Sequence, residues 1–234
     1  MKAILRKREN IAEGTLACWL EPEAPFSFTA GQFGNFTLLN PPHADEKGNR
    51  RTFSFANAPG HDTILVATRL SGSAFKHSLA ELPAGTAVEF AGPMGNFTLH
   101  KDASRPAVFL TGGIGITPVR SIVEHATSDR LAHELFVFYA NRNRASTAFF
   151  EDFLAWDESN PCLHFIPSLD EPPDDWPHER GLIDEAMLQR HIEGIERPIY
   201  YVVGPPPMVA AMKSLLVRMG IDELSIRSED FYGY

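Results

Sequence analysis

Two glycine-bearing loops in this 234-residue chain have residue types and spacing that could do chemistry. The first, Phe109 to Ile122, reads FLTGGIGITPVRSI. An apolar run ends at Thr111, and Gly112, Gly113 and Gly115 then let another backbone or a pyrophosphate come close. The loop is not the dinucleotide fingerprint. The third glycine of G-x-G-x-x-G would fall at position 118, which is Pro118, and no Lys-Ser or Lys-Thr pair makes it a P-loop. Proline suits the first turn of a helix, where its missing N–H costs nothing, and Thr117 before it suits an N-cap. The free N–H groups of such a helix start, together with its dipole, favour an anion. A tight turn with no ligand would use the same Gly-Gly pair. The second loop, YYVVGPPPMV from Tyr200 to Val209, opens another helix through Gly204, Pro205, Pro206 and Met208.

Those loops need a scaffold that brings them together. From Arg105 onward, apolar runs alternate with helical segments: PAVFLTGG and TPVRSIVEHATSD, HELFVFYANR and STAFFEDFLAWDES, CLHFIPSL and GLIDEAMLQRHI, PIYYVVGPP and PMVAAMKSLLVRMG, and a closing LSIRSEDF. Five nearly unbroken apolar strands separated by helices predict a doubly wound parallel sheet, covered on both faces. In a strand order of 3-2-1-4-5, the first and fourth strands are neighbours at the switch point. The two loops then flank one crevice outside the carboxyl ends of the strands, where ligands bind in such sheets.

Up to about His100 the rhythm differs. GTLACWLEP, GQFGNFTLL, RTFSFANAP, TILVATRLS and AVEFAGPMGNFTL carry β-branched and aromatic residues between Gly and Pro breaks. One helical piece, SAFKHSLAEL, interrupts them, and NPPHADEKGN reads as a loop. This half predicts a six-stranded antiparallel β-barrel with one helix. The domains are expected at 1–100 and 104–234, divided near HKDASRP.

Composition narrows the function. A formal net charge of −9 with no long basic run argues against nucleic acid as a partner. No apolar run is long enough for a membrane span, and MKAILRKREN lacks the apolar core of a signal peptide, so a cytoplasmic protein is expected. Two cysteines, Cys18 and Cys162, are too few for an ordinary iron–sulfur cluster or a cysteine-based zinc site.

Four motifs taken in order resemble the ferredoxin–NADP reductase family, a flavin barrel joined to a pyridine-nucleotide domain. RTFSFA (Arg51 to Ala56) resembles its Arg-x-Tyr-Ser flavin motif, and GPMGNF (Gly92 to Phe97) the motif that closes its barrel. GGIGITP, including Ile116, resembles its nicotinamide pyrophosphate loop, and VGPPPMV its Cys-Gly-Pro-Pro loop. The resemblance covers essentially the whole chain. It implies FAD, the flavin usual in the family, with FMN as the alternative, and NADPH or NADH as donor.

The resemblance also implies roles. Arg51 pairs with a flavin phosphate as a charged fork. Phe53 stands where the family has tyrosine, so it keeps the stacking ring and loses the hydroxyl. Ser54 lies beside flavin N5. Gly72, Ser73, Ala74 and Phe75, at a helix start, present backbone N–H groups to a second phosphate, and Lys76 adds charge. Val203 replaces the family's cysteine, and Gly204 leaves open space above the nicotinamide. Glu229, with Asp230 as rival, supports proton delivery. Phe231 covers the flavin face, with Tyr232 or Tyr234 as substitutes. The second strand of the sheet ends YANRNR, with Arg142 and Arg144 and no acid, which favours NADPH. The alternative reading is that both arginines pair with nearby Glu134 or Glu151.

Hydride would pass from NAD(P)H to the flavin, and electrons would pass on to a separate acceptor. Ferredoxin, flavodoxin, an oxygenase component or a small molecule would serve, since no iron–sulfur domain is apparent in the sequence. Arg6, Lys7, Arg8 or Arg69 could form a basic docking patch for an acidic acceptor. The alternative is a flavin-binding electron-transfer or regulatory subunit without turnover.

Overall fold

Alternation in the first half folds one face inward. In β3 (Phe33–Leu38), Gly34, Phe36 and Leu38 are buried while Phe33, Asn35 and Thr37 are only partly covered. The computed structural model describes residues 1–232 and contains two six-stranded sheets. The first comprises β1 (Lys2–Ala12), β2 (Thr15–Pro22), β3, β4 (Arg50–Ser54), β5 (Ile64–Arg69) and β6 (Ala87–Met94). Its order is β4-β3-β6-β1-β2-β5, antiparallel throughout. The helix α1 (Ala74–Glu81) follows β5.

The first strand of the chain, β1, carries three consecutive basic residues, Arg6, Lys7 and Arg8. Ala3 and Leu5 enter the core while the charges stay out. The barrel interior is phenylalanine-rich. Phe28 and Phe55 pack at 4.6 Å between ring centroids, and Phe26 meets Phe90 edge-on at 5.0 Å. Each such ring taken from water contributes about 1.5–3 kcal/mol.

The edges of the sheet, β4 and β5, converge at one end, where Ala56 N–H donates to Leu65 O at 2.7 Å.

The second sheet is parallel: β7 (Ala107–Gly112), β8 (Leu135–Asn141), β9 (Leu163–Leu169), β10 (Glu179–Arg180), β11 (Ile199–Gly204) and β12 (Ile226–Asp230). The order β10-β9-β8-β7-β11-β12 contains the anticipated arrangement of five and adds a two-residue edge strand. Every residue of β7 and β11 is buried, as strands covered on both faces must be. On one face lie α2 (Ile116–Ser128) and α3 (Phe150–Ser159), and on the other α4 (Glu185–His191) and α5 (Pro206–Arg218).

The connection between the sheets is tied down. His100 N–H donates to Tyr201 Oη at 2.8 Å, and Arg227 donates to Thr98 O at 2.8 Å. No helix among the described residues is long and apolar enough to cross a membrane.

Candidate functional site

The two sheets meet at a cleft of about 320 Å³. Arg51, Phe53 and Ser54 of β4 and Ala67 to Arg69 of β5 line its barrel side. Ile114 and Thr117 come from the first glycine loop, and Glu229 to Tyr232 from the C-terminal tail. Residues predicted from separate motifs thus share one wall-to-wall space.

The glycine loop is a tight turn of 3-10 helix, Gly113–Gly115, running straight into α2. Gly113 has a φ of 54°, a left-handed conformation that suits glycine. The turn shifts the helix start. Gly115, not Thr117, precedes the first residue of α2, so Thr117 is not its N-cap. Its hydroxyl instead donates back to Ile114 O at 3.0 Å, from a buried position. Pro118 becomes the third helical residue, still within the turn whose N–H groups lack intrahelical acceptors.

The other glycines serve loop-on-loop packing. A Cβ on Gly115 would stand 2.6 Å from Val203 O and 2.9 Å from Gly204 Cα, and one on Gly112 would stand 2.4 Å from Met208 Sδ. The two loops therefore interlock. Nor is the space over Gly204 open. A Cβ there would meet Met208 Sδ at 3.2 Å and Gly112 O at 3.4 Å. Pro205 precedes α5 and Pro206 begins it, which places Met208 in its first turn. Ile116 lies wholly in the core, so only its backbone can face a ligand.

Two polar side chains at this edge are incomplete. The Thr111 hydroxyl and both polar atoms of the Asn141 amide are buried with no hydrogen-bond partner among the described residues. They sit at the carboxyl ends of β7 and β8, and each unpaired group costs about 1–3 kcal/mol. A polar ligand laid across these strand ends would complete them, which fits a pyridine nucleotide. Asn141 has no motif to announce it; only the burial of both its polar atoms marks it.

On the barrel side, Ser54 is 4% exposed. Phe53 is half-buried, its ring 5.8 Å from that of Phe75. Phe75 belongs to the barrel core and underlies the Arg51 guanidinium at 5.3 Å. Arg51 also donates to Ser73 Oγ at 3.3 Å, and Lys76 to Ser71 Oγ at 3.0 Å. A further hollow is bordered by Arg51, Gly72, Ser73, Lys76 and Tyr232, contiguous with the main cleft through Arg51 and Lys76. Guanidinium, ammonium and the start of α1 converge there, the donor set a phosphate needs.

Glu229 and Asp230 both border the cleft, and burial pushes the Glu229 carboxyl up to about 7. Phe231 packs against the small cluster that contains Ala56, Ala67 and Ile114, and its N–H donates to Gly204 O at 2.9 Å. Tyr232 is exposed, and Tyr234 lies outside the described residues.

Arg142 and Arg144 do not line the central cleft. Arg144 pairs with Glu151, and its guanidinium lies 4.0 Å from the Phe150 ring centroid. Arg142 meets Glu171 at 3.1 Å rather than Glu134, which faces His164. Three of the four basic residues considered for docking have partners within the chain. Arg6 pairs with Glu21 and Lys7 with Glu9, while Arg69 donates to Glu13 O and Ser146 O.

One more contact joins the halves. Arg120, in α2 just after the glycine loop, donates to Ala56 O at 2.7 Å, and to Glu124 and Asp152 at 3.1 and 2.8 Å. Glu124 in turn accepts Ala58 N–H at 2.6 Å. The sequence signals this only as two charges four apart on an otherwise apolar helix face.

Residues 109–214 match the profile of an oxidoreductase NAD-binding domain. The chain is 30% identical over 216 residues to the reductase component of phenol 2-monooxygenase from Pseudomonas sp. (strain CF600), covering 90% of this chain and 59% of that protein. It is 30% identical over 184 residues to a component of the Na(+)-translocating NADH-quinone reductase of Idiomarina loihiensis, covering 76% and 44%. The chain thus spans about three-fifths or less of these curated relatives. Among solved structures, the Amycolatopsis cytochrome P450 reductase superposes with a TM-score of 0.85 at 26% identity, over 99% of this chain and 70% of that one. A ferredoxin NADP+ reductase from Neisseria gonorrhoeae, solved with FAD and NADP, gives 0.82 at 17% identity over 99% and 98%.

Proposed function

We propose, from the premise that this chain belongs to the ferredoxin-reductase-like proteins, that it is an NAD(P)H:acceptor oxidoreductase working through FAD. Residues 1–100 form the flavin unit and residues 104–234 the NAD(P) unit. The observation that carries this reading is the shared cleft, bordered at once by Ser54, by Ile114 and Thr117, and by Glu229 and Phe231.

The chemistry that FAD supplies when bound is the uptake of a hydride as an electron pair and the release of electrons singly. The chain supplies position and proton control. Arg51, Ser73, Ala74 and Lys76 hold the flavin phosphates, Phe53 flanks the ring, and Ser54 offers a hydroxyl at its edge. Thr111, Gly113, Thr117 and Asn141 receive the nicotinamide nucleotide. Phe231 lies over the site and moves aside when the nicotinamide enters. Glu229 holds a proton near neutral pH for the reduced cofactor or the acceptor. Holding the two rings in contact can contribute about 7–11 kcal/mol to the barrier reduction, the largest effect assigned to the protein.

The Arg142–Glu171 and Arg144–Glu151 pairs are exposed and each is worth about 1 kcal/mol or less, so both arginines can exchange these partners for a 2′-phosphate, which favours NADPH. The acceptor is a separate partner. The likeness to a monooxygenase reductase component favours an oxygenase component over ferredoxin, flavodoxin or a small molecule.

Anaerobic addition of NADPH to the FAD-loaded protein tests the assignment. Bleaching of the visible flavin absorption followed by reoxidation with an added acceptor supports it. A bound flavin that neither NADPH nor NADH bleaches would leave a flavin-binding subunit without turnover.

A further inference from the structure

The loop between β3 and β4 carries a carboxylate into the phosphate cradle. Asp45 Oδ2 accepts the N–H of Ala74, first residue of α1, at 2.9 Å. Asp45 Oδ1 lies 3.7 Å from Arg51 Nη2. The same loop occupies the other branch of that guanidinium: Arg51 Nη1 donates to Lys47 O, Gly48 O and Arg50 O at 2.9, 3.0 and 2.7 Å. Beyond Asp45 the loop is fastened along α1. His43 N–H donates to Ser78 Oγ at 3.0 Å, Ser78 Oγ donates to His43 O at 3.1 Å, and the His43 ring meets Glu81 at 2.8 Å.

Helix start, guanidinium and ammonium together attract an anion, and the chain provides one from its own β3–β4 loop. The Ala74 N–H, with that of Lys47 and the Arg51 charge, holds the Asp45 carboxyl below the usual carboxylate range, so it is ionised at neutral pH. A second anion entering the same donors meets both competition and like-charge repulsion.

We propose that Asp45 is an internal stand-in for the flavin phosphate: the 40–49 loop must release Ala74 and Arg51 before a phosphorylated flavin can seat, so Asp45 sets flavin affinity and exchange. The proposal rests on the flavin reading of this cradle. It makes cofactor retention a property of a surface loop distant from the ring-binding edge. It also separates flavins by chemistry. FAD and FMN must displace the carboxylate, whereas riboflavin, which has no phosphate, need not.

Asp45→Asn removes the charge and keeps an oxygen for the Ala74 N–H, so the cap on α1 survives. The probes are FAD, FMN and riboflavin, followed by quenching of flavin fluorescence on titration with full-length protein. FAD and FMN should bind roughly five- to tenfold more tightly to the variant, the size expected for one charge at a helix start. Riboflavin affinity should be unchanged. Asp45→Ala should move FAD affinity in the same direction. In the wild type, FAD should speed hydrogen exchange of the amides from His43 to Gly48. Unchanged or weaker FAD binding by Asp45→Asn, with riboflavin binding retained, overturns the proposal, as does slower exchange across that loop. Failure of both proteins to bind any of the three flavins overturns the flavin reading itself and this proposal with it.

Discussion

The N–H of Phe231 donates to the carbonyl of Gly204 at 2.9 Å. This bond stitches the C-terminal tail to the loop that opens α5, and it continues the β11–β12 ladder, in which Gly204 faces Asp230. It holds the aromatic ring against the cluster that contains Ile114 and Ala67, with Glu229 also at the cleft. The proposed lid and proton carrier therefore lie two residues apart, Glu229 within β12 and Phe231 just beyond its end.

Truncating the lid tests its gating role. Phe231→Ala should leave flavin content unchanged and tighten NADP+ or NAD+ binding about tenfold, since the nicotinamide no longer displaces a packed ring. Equilibrium titration by difference absorbance measures this. Unchanged affinity would place the ring outside the nicotinamide's path.

Glu229 gives a pH prediction. Its carboxyl rises from the usual 4.5 to about 7 in the folded chain. Between those values the folded state binds more protons than the unfolded state, so this residue's contribution to stability is full below 4.5 and is lost as pH rises through 7. Glu229→Gln should therefore be more stable than wild type at about pH 8, by about 1–3 kcal/mol, with the difference vanishing near about pH 4. Urea melts at the two values decide it. Acceptor reduction should also lose its inflection near pH 7 in the variant.

Gly115→Ala brings a methyl to within 2.6 Å of Val203 O. The interlocked loops must part, at a cost of about 1–3 kcal/mol. A lower melting temperature and a kcat/KM for the nucleotide reduced about 100-fold are expected, with flavin binding intact. A variant with wild-type turnover would show that the loops can separate without disturbing the nucleotide.

Arg120 is 9% exposed and serves three acceptors, of which Ala56 O lies across the interface and Glu124 and Asp152 on its own side. Arg120→Met would take the cationic partner from Glu124 and the side-chain donor from the Ala56 carbonyl, and should cost about 3–5 kcal/mol in denaturant unfolding. Arg120→Lys keeps the charge but not the fork and should recover part of the loss. Equal stability of all three proteins would remove the interface role.

The proposed NADPH selectivity rests on Arg142 and Arg144. Replacing both by alanine should lower kcat/KM for NADPH about tenfold and leave that for NADH unchanged. A native preference for NADH would assign the arginines to Glu171 and Glu151 alone.

Much of this architecture is legible in the sequence because it rests on local pattern. The unbroken apolar runs at Ala107–Gly112 and Ile199–Gly204 announce buried parallel strands, and their glycine ends announce the crevice. The strand β1 is harder to read, since Arg6, Lys7 and Arg8 mask the inward Ala3 and Leu5. The two residues of β10 are too short for any periodicity. At the site, Ser54, Glu229 and Phe231 line one cleft, Ser54 from the end of β4 and the other two from the end of β12 and just beyond it. The start of α2 differs from the expected one because a 3-10 turn absorbs Gly113 to Gly115 before the α-helix begins. Asp45 and Asn141 are invisible to pattern. What they do depends on groups brought to them by folding: Ala74, 29 residues along the chain, and the buried edge beyond β8.

The central claim is ring contact between flavin and nicotinamide in the cleft edged by Ser54, Thr117 and Phe231. Anaerobic stopped-flow mixing of the FAD-loaded protein with NADPH tests it most directly. The account predicts a transient long-wavelength charge-transfer absorbance, followed by loss of the visible flavin band at a rate that saturates with NADPH. Saturable nucleotide binding with neither the charge-transfer signal nor any bleaching, with NADPH or with NADH, would contradict it.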